Sequence, residues 1–217
     1  MALTYTPQFS ESVRSVITPR LQNIGFQPRH DLVFLRPAGR FTQVIELVAH
    51  PPGDERFTVR LGIYVPFAPD ANGDPPDPLP VSGVTRCQFR ASLGKLLHGR
   101  DFIWKTSKEW SETYRQMRDA LRGILIHGLC WLSQTREPSM LIRHCARIAG
   151  RHPEGHRCDQ LPPSVLMGLL YEAHGDAGQA RVWYRRAIDI EGGMSMGLRM
   201  WVCNRLHNLP LVHPLGA

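Results

Sequence analysis

The run Arg56-Phe57-Thr58-Val59-Arg60-Leu61-Gly62-Ile63-Tyr64-Val65 decides the fold. Phe57, Val59, Leu61, Ile63 and Val65 share one side of a two-residue period. Arg56, Thr58, Arg60 and Tyr64 share the other. Such alternation marks a strand with one face turned to a core. Upstream, Phe41–His50 alternates Val44, Glu46 and Val48 against Ile45 and Leu47, and Pro51-Pro52-Gly53-Asp54 separates the two strands. Leu32–Arg36 reads as another strand, closed by the turn residues Pro37-Ala38-Gly39-Arg40. Strands joined by short turns favour an antiparallel meander.

Working outward, Phe9, Val13, Val16, Ile17, Leu21 and Ile24 fall on one helical face, and Gly25 stands where a terminating glycine belongs. A first helix over about residues 8–24 follows. Downstream, Pro66–Gly83 holds six prolines with Asp70, Asp74 and Asp77, and reads as a long, mobile, acidic surface loop. Val84–Ala91 resumes alternation as a fourth strand, with Cys87 and Phe89 on one face, and Phe102–Lys105 is a short fifth element. From Lys108 the chain turns helical. Trp110, Tyr114, Met117, Leu121, Leu125 and Leu129 recur at helical spacing, with Ser107 and Ser111 as candidate N-caps. Pro138 opens a further helix through Ala149, residues 150–163 connect, and a last helix lies near Met194–Leu206. The expected fold is α+β: an N-terminal helix on a four- to five-stranded antiparallel sheet, then an all-helical C-terminal part. Residues 1–133 form the α+β domain and 134–217 the helical region.

The chain has 217 residues, 42% of them hydrophobic, and a formal net charge of +7. That composition suits a globular protein and excludes wholesale disorder. The charge is spread along the chain, with no basic arm, so an arginine-rich solvated surface accounts for it; a nucleic-acid partner is the competing reading. The five cysteines are widely spaced with no CxxC pair, unlike a disulfide framework. Residues Met1–Pro7 lack a signal peptide's charged and apolar regions, and the apolar stretch Gly123–Leu132 is too short to span a bilayer. A cytoplasmic protein with no membrane partner is expected.

Chemistry-bearing groups are sparse. His144, Cys145, His152, His156 and Cys158 lie close in sequence, but without the paired spacing that makes a zinc assignment specific, they read as a polar connector. Ser92-Leu93-Gly94-Lys95 has the bare Ser-x-x-Lys spacing and none of its supporting motifs. Cys87 reads as a small buried hydrophobe, and Glu46 with Arg60 as a cross-strand ion pair. Trp104, Trp110 and Trp131 read as core anchors; an exposed Trp104 beside Arg86 and Arg90 would instead make a stacking, cationic face for single-stranded nucleic acid. Glycine-rich phosphate loops and nucleophile elbows are missing. No catalytic residue, metal or cofactor is assigned.

Gly168, Tyr171, Gly175, Ala180, Tyr184 and Ala187 stand at offsets that resemble a single tetratricopeptide helical hairpin over about residues 164–190. The first half resembles a bacterial family known as domain of unknown function 4304, over about residues 9–132. The residues that carry the likeness are Leu21–Phe26, Leu32–Arg36, Gln43–Val48, Phe57–Tyr64, Cys87–Gly94 and Trp104. The chain departs at Ser92, where the family tends to carry a second arginine, and at Ile103-Trp104, where paired tryptophans are common. The resemblance implies an α+β fold and suggests bacterial toxin–immunity loci. The functional expectation is a non-catalytic bacterial interaction protein, an immunity or antitoxin-like factor that neutralises a toxin by direct binding. The alternative is a nucleic-acid-binding module using an arginine-rich sheet face. Asp70, Asp74 and Asp77, in the segment whose charge opposes the rest of the chain, are candidate partner contacts, with Glu172 on the helical face.

Overall fold

A computed structural model describes residues 7–30, 32–50, 56–74, 83–107, 109–134, 136–149, 161–190 and 194–210. Contacts divide the chain into two compact units, Met1–Tyr64 with Pro80–Ser133, and Val65–Leu79 with Gln134–Ala217.

The first unit opens on helix α1, which runs as Pro7–Ser12, a π-helical turn Val13–Ile17 and Thr18–Gln22. Pro19 has no N–H to give and its ring crowds the preceding turn, and the ladder widens just before it. The Thr18 N–H accordingly reaches back to the Val13 carbonyl. The helix ends two residues earlier than its apolar row suggests. Gly25 adopts φ +89°, and the amides of Gly25 and Phe26 bond the carbonyls of Gln22 and Leu21 at 2.9 and 3.0 Å. That paired closure needs a residue tolerant of positive φ.

The strands are β1 (Gln27–His30), β2 (Val33–Ala38), β3 (Phe41–Ala49), β4 (Arg56–Tyr64), β5 (Phe89–Ser92) and β6 (Trp104–Lys105). They form one antiparallel sheet in the order β1-β2-β3-β4-β5, with β6 on the start of β4. The α+β architecture therefore holds, with six strands rather than four or five. The additional strand, β1, consists of exposed Gln, Pro, Arg and His, so it carries no alternation to detect. Pro37 and Ala38 belong to β2, and the β2–β3 turn is only Gly39-Arg40, with Gly39 at φ +60°.

One sheet face is fully covered. Phe34, Ile45, Leu47, Phe57, Val59, Leu61 and Ile63 are at most 1% exposed. Against them lie α1 and helix α3, which runs as Trp110–Gly123, a π-helical turn Ile124–Gly128 and Leu129–Ser133; helix α2 (Leu93–His98) precedes it. Phe9 meets Phe57 edge-on at 5.4 Å, and Phe57 stacks on Trp104 at 5.7 Å. Each fully buried side chain of this size contributes about 1.5–3 kcal/mol. Within the expected α3 row, Met117 and Leu121 are buried while Trp110, Tyr114 and Leu125 are 43%, 37% and 36% exposed. The inward row is Thr113, Met117, Ala120, Ile124, Gly128 and Leu132, and the π-helical turn keeps its last members facing the sheet. Neither predicted serine caps α3 by its side chain; Glu109 occupies the N-cap, and the Ser107 hydroxyl accepts its N–H at 3.1 Å.

A buried polar chain joins the helix ends to the sheet. Arg36 donates to the Ile24 carbonyl at 2.9 Å and to Gln43 Oε1 at 2.9 and 2.6 Å, and its guanidinium lies 4.3 Å above the Phe26 ring. Gln43, wholly buried, passes the chain on by donating to the Leu132 carbonyl at 2.7 Å. Each polar group thus finds a partner inside.

The other sheet face carries a smaller cluster of Val33, Leu35, Val44 and Tyr64, covered by Val84 and Cys87. Here the sequence reading needs correction. Residues 83–86 are not strand but a 3₁₀ turn, Gly83–Arg86, entered through Gly83 at φ +79° and held by the Glu46 carboxylate, which accepts the Val84 N–H at 2.9 Å. Cys87 and Phe89 also part company. Cys87 packs over Gly62 on this face, while Phe89 stands opposite Ile63 in the ladder and shares its side of the sheet.

The second unit contains helices α4 (Pro138–Ala149), α5 (Pro163–His174), α6 (Ala177–Ile190) and α7 (Met196–Asn208), each packed on its neighbour in sequence. α5 and α6 form a hairpin through Gly175, at φ +89°. Gly168 leaves room for Tyr184, whose ring would be 2.5 Å from any Cβ placed there. The Tyr184 hydroxyl donates to Glu172 at 2.8 Å, and Arg205 of α7 pairs with the same carboxylate at 3.0 Å. Arg181 donates to the Leu209 carbonyl at 2.9 Å, just past the end of α7. The segment expected to be a mobile loop packs, over its described part, within this unit. Ser195, the N-cap of α7, donates to the Ala71 carbonyl at 2.7 Å, and Gly197 lies so close that a Cβ would meet the Asn72 oxygen. No helix among the described residues is long and apolar enough to cross a membrane.

Two substitutions test these placements. Leu61→Asp buries an unpaired charge between the sheet and its helices and should abolish cooperative unfolding in urea, whereas Thr58→Asp, half-buried on the opposite face, should change the midpoint little. Ala180 is fully buried and Gln179 exposed, so Ala180→Leu should destabilise by about 1–3 kcal/mol and Gln179→Leu should be nearly neutral in the same measurement.

Candidate functional site

The second face of the sheet ends in a recess of about 400 Å³, open beside the 3₁₀ turn. Arg60 comes from β4, Arg90 and Ser92 from β5, Lys95 from α2, and Val84 and Thr85 from the turn. The ladder brings them together. Arg60 stands opposite Ser92, and Arg90 opposite Gly62, so both arginines share one face. Arg90 is braced from below, donating to the Cys87 carbonyl at 2.9 Å and to the Thr85 carbonyl. Lys95 lies 3.6 Å from Asp101, both side chains well exposed, an arrangement worth little to stability.

Glu46 underlies this rim. It stands opposite Arg60 in the β3–β4 ladder, as the strand reading expected, but the bond that fixes its carboxylate is the one from the Val84 backbone. Burial pushes the Glu46 carboxyl above its ordinary value, opposed by that N–H and by the charges of Arg60 and Arg90. Its acid is spent on positioning the turn.

These groups make a cationic rim suited to holding an anionic group, not a reacting pair. An amine activates a serine only when desolvated, and Lys95 is exposed and beside Asp101. Cys87 is fully buried. Trp104 is fully buried as well, donating to Asp119 at 2.9 Å, so no stacking platform stands beside Arg86 and Arg90 at that position. Of the other two tryptophans read as core anchors, Trp110 is exposed and Trp131 half-buried.

The acidic contacts expected from sequence do not converge. Asp70 accepts the N–H groups of Asn72 and Asp74 at 2.8 and 3.0 Å, folding its own turn. Asp74 is exposed, and Asp77 lies outside the described residues. Both Glu172 oxygens are engaged by Tyr184 and Arg205. Of the histidines and cysteines weighed for zinc, His152, His156 and Cys158 lie outside the described residues, and His144 lines a hollow of about 200 Å³ with Gln134, Met140 and Arg143. Among the described residues no group of three or more His, Cys, Asp or Glu could hold a metal ion. The recess itself was not assembled from sequence. The β4–β5 register brings Arg60 and Arg90 to one face and α2 adds Lys95; the outward arginines of two alternating strands are the signal that the sequence offers.

No curated protein and no solved structure matches the chain. A family model described as "Domain of unknown function (DUF4304)" matches residues 17–134, covering the end of α1, the sheet, α2, α3 and the recess. With more than half of its length matched, the chain belongs to the DUF4304 family.

Proposed function

We propose that this protein is a non-catalytic interaction protein, an immunity or antitoxin-like factor of the bacterial cytoplasm that neutralises a toxin by direct binding. The observation that carries this reading is the recess. Its cations surround one concavity, in which Glu46 is committed to holding the turn, Cys87 is buried, and Lys95 is exposed beside Asp101. A cationic rim on a rigid sheet suits an anionic patch on a partner protein. The tight Gly168–Tyr184 crossing supports the likeness of the α5–α6 hairpin to a tetratricopeptide unit, a type of packing that serves protein contacts. Nucleic acid is the alternative occupant, resting on the same cations and on the net charge of +7.

The test is calorimetric titration of the full chain with the product of the neighbouring gene. One-to-one binding is expected. Arg60→Glu combined with Lys95→Glu should weaken it at least tenfold, about 1.4 kcal/mol, without lowering the melting temperature. Absence of binding, or affinity unchanged by the double reversal, would contradict the proposal. Tight binding of a labelled single-stranded oligonucleotide, falling steeply with salt, would select the alternative.

A further inference from the structure

The outward face of α3 is unlike the rest of the unit's surface. Trp110 and Tyr114 are 43% and 37% exposed, with ring centroids 6.3 Å apart. Further along, Leu125 and Ile126 are 36% and 53% exposed. Scattered exposed hydrophobics are ordinary on a soluble protein. Here four lie on one helix, spanning about 24 Å at 1.5 Å per residue. Between the aromatic and aliphatic pairs stand exposed Arg118 and Arg122, neither with a hydrogen-bond or ion-pair partner among the described residues. Arg115 on the same helix is already paired with Glu112 at 2.8 Å. Tryptophan, tyrosine and arginine are the residue types that carry most binding energy at protein interfaces.

We infer that this face is a second contact surface, one that receives an acidic amphipathic helix of a partner protein. Charge and shape both select that occupant. Two guanidinium groups without partners among the described residues, centred between apolar ends, call for carboxylates flanked by apolar side chains. A second copy of this chain is disfavoured at the centre, because an antiparallel two-fold pairing about Arg118 sets that guanidinium against its own copy. Single-stranded nucleic acid leaves Leu125 and Ile126 without a role, and it meets Glu112 beside the aromatic pair. The surface is independent of the recess, which opens on the opposite side of the sheet from α3.

The experiment uses the full chain and a fluorescein-labelled synthetic helix of about five turns, carrying a leucine row flanked by glutamates. Saturable binding by fluorescence anisotropy is expected. Arg118→Glu with Arg122→Glu should weaken it at least tenfold, and Trp110→Ser with Tyr114→Ser likewise. Arg60→Glu with Lys95→Glu should leave it unchanged, which separates this surface from the recess. Circular dichroism melts confirm that each variant folds, and Arg118→Ala with Arg122→Ala provides a milder pair if reversal perturbs the helix. Absence of binding overturns the inference, as does equal binding of the same helix with lysine in place of glutamate or indifference to the Arg118 and Arg122 variants. Two further outcomes reassign the face and overturn the inference too: tighter binding of a thymidine oligonucleotide lost in the same variants, or a concentration-dependent rise in mass of the free chain lost in them.

Discussion

The side chain missing at Gly62 is the constraint on which the first unit depends. A Cβ at that position would stand 2.5 Å from the Cys87 sulfur and 2.8 Å from its Cβ, closer than real atoms approach. Bare backbone there lets Cys87 settle onto the sheet and brings Val84 down over Val33, Leu35 and Val44. The sheet is thereby covered on both faces, heavily by α1 and α3 and lightly by a single turn. Had position 62 carried a side chain, residues 83–88 would have to ride higher. Glu46 would then lose the Val84 N–H that it accepts, and a half-buried carboxylate without that donor is destabilising.

The functional surface follows from the same contact. Because the turn is pinned at Cys87 and Val84, Arg90 is pinned too, its guanidinium bonded to the carbonyls of Thr85 and Cys87. Arg60 and Lys95 then face it across the recess. Arg90 is held by backbone carbonyls, Arg60 by its place in the ladder beside Glu46, and Lys95 lies near Asp101 at the exposed edge. Arg90, braced in that way, has lost side-chain freedom before any partner arrives, which lowers the entropic cost of docking at that residue.

Much of the fold was legible in the sequence because the covered face repeats its signal. Phe57, Val59, Leu61 and Ile63 alternate without a break, and Val13, Val16, Ile17 and Leu21 keep helical spacing. Elements without a repeating apolar signal were lost or misplaced. β1 is polar at every position, since it closes a sheet edge without burying side chains. Residues 84–91 alternate in composition, yet half of that run is a turn whose shape depends on Glu46, 38 residues away in sequence. The α3 row contains six well-spaced hydrophobics, but Trp110, Tyr114 and Leu125 sit to one side of the inward row Thr113, Met117, Ala120 and Ile124 and end outside. The site was hidden for a related reason. Charged residues such as Asp70 and Glu172 look available in a sequence, whereas the fold uses Asp70 to close its own turn and Glu172 to tie α5 to α6 and α7. Arg60, Arg90 and Lys95 come from three elements; strand register joins the two arginines, and the helix that follows β5 adds Lys95.

The most direct test of this account is the reactivity of the Cys87 thiol. In a chain whose Cys130, Cys145, Cys158 and Cys203 are replaced by serine, Cys87 is the only thiol. Under native conditions its modification by a thiol reagent should proceed no faster than global unfolding allows, because the sulfur is wholly buried between Gly62 and the turn. Adding Gly62→Ala, at a cost of about 1–3 kcal/mol, should accelerate the reaction roughly ten- to hundredfold. A Cys87 that reacts in native buffer as fast as in the unfolded chain, or at a rate indifferent to Gly62→Ala, would show that the turn is not seated on the sheet and would remove the foundation of the recess.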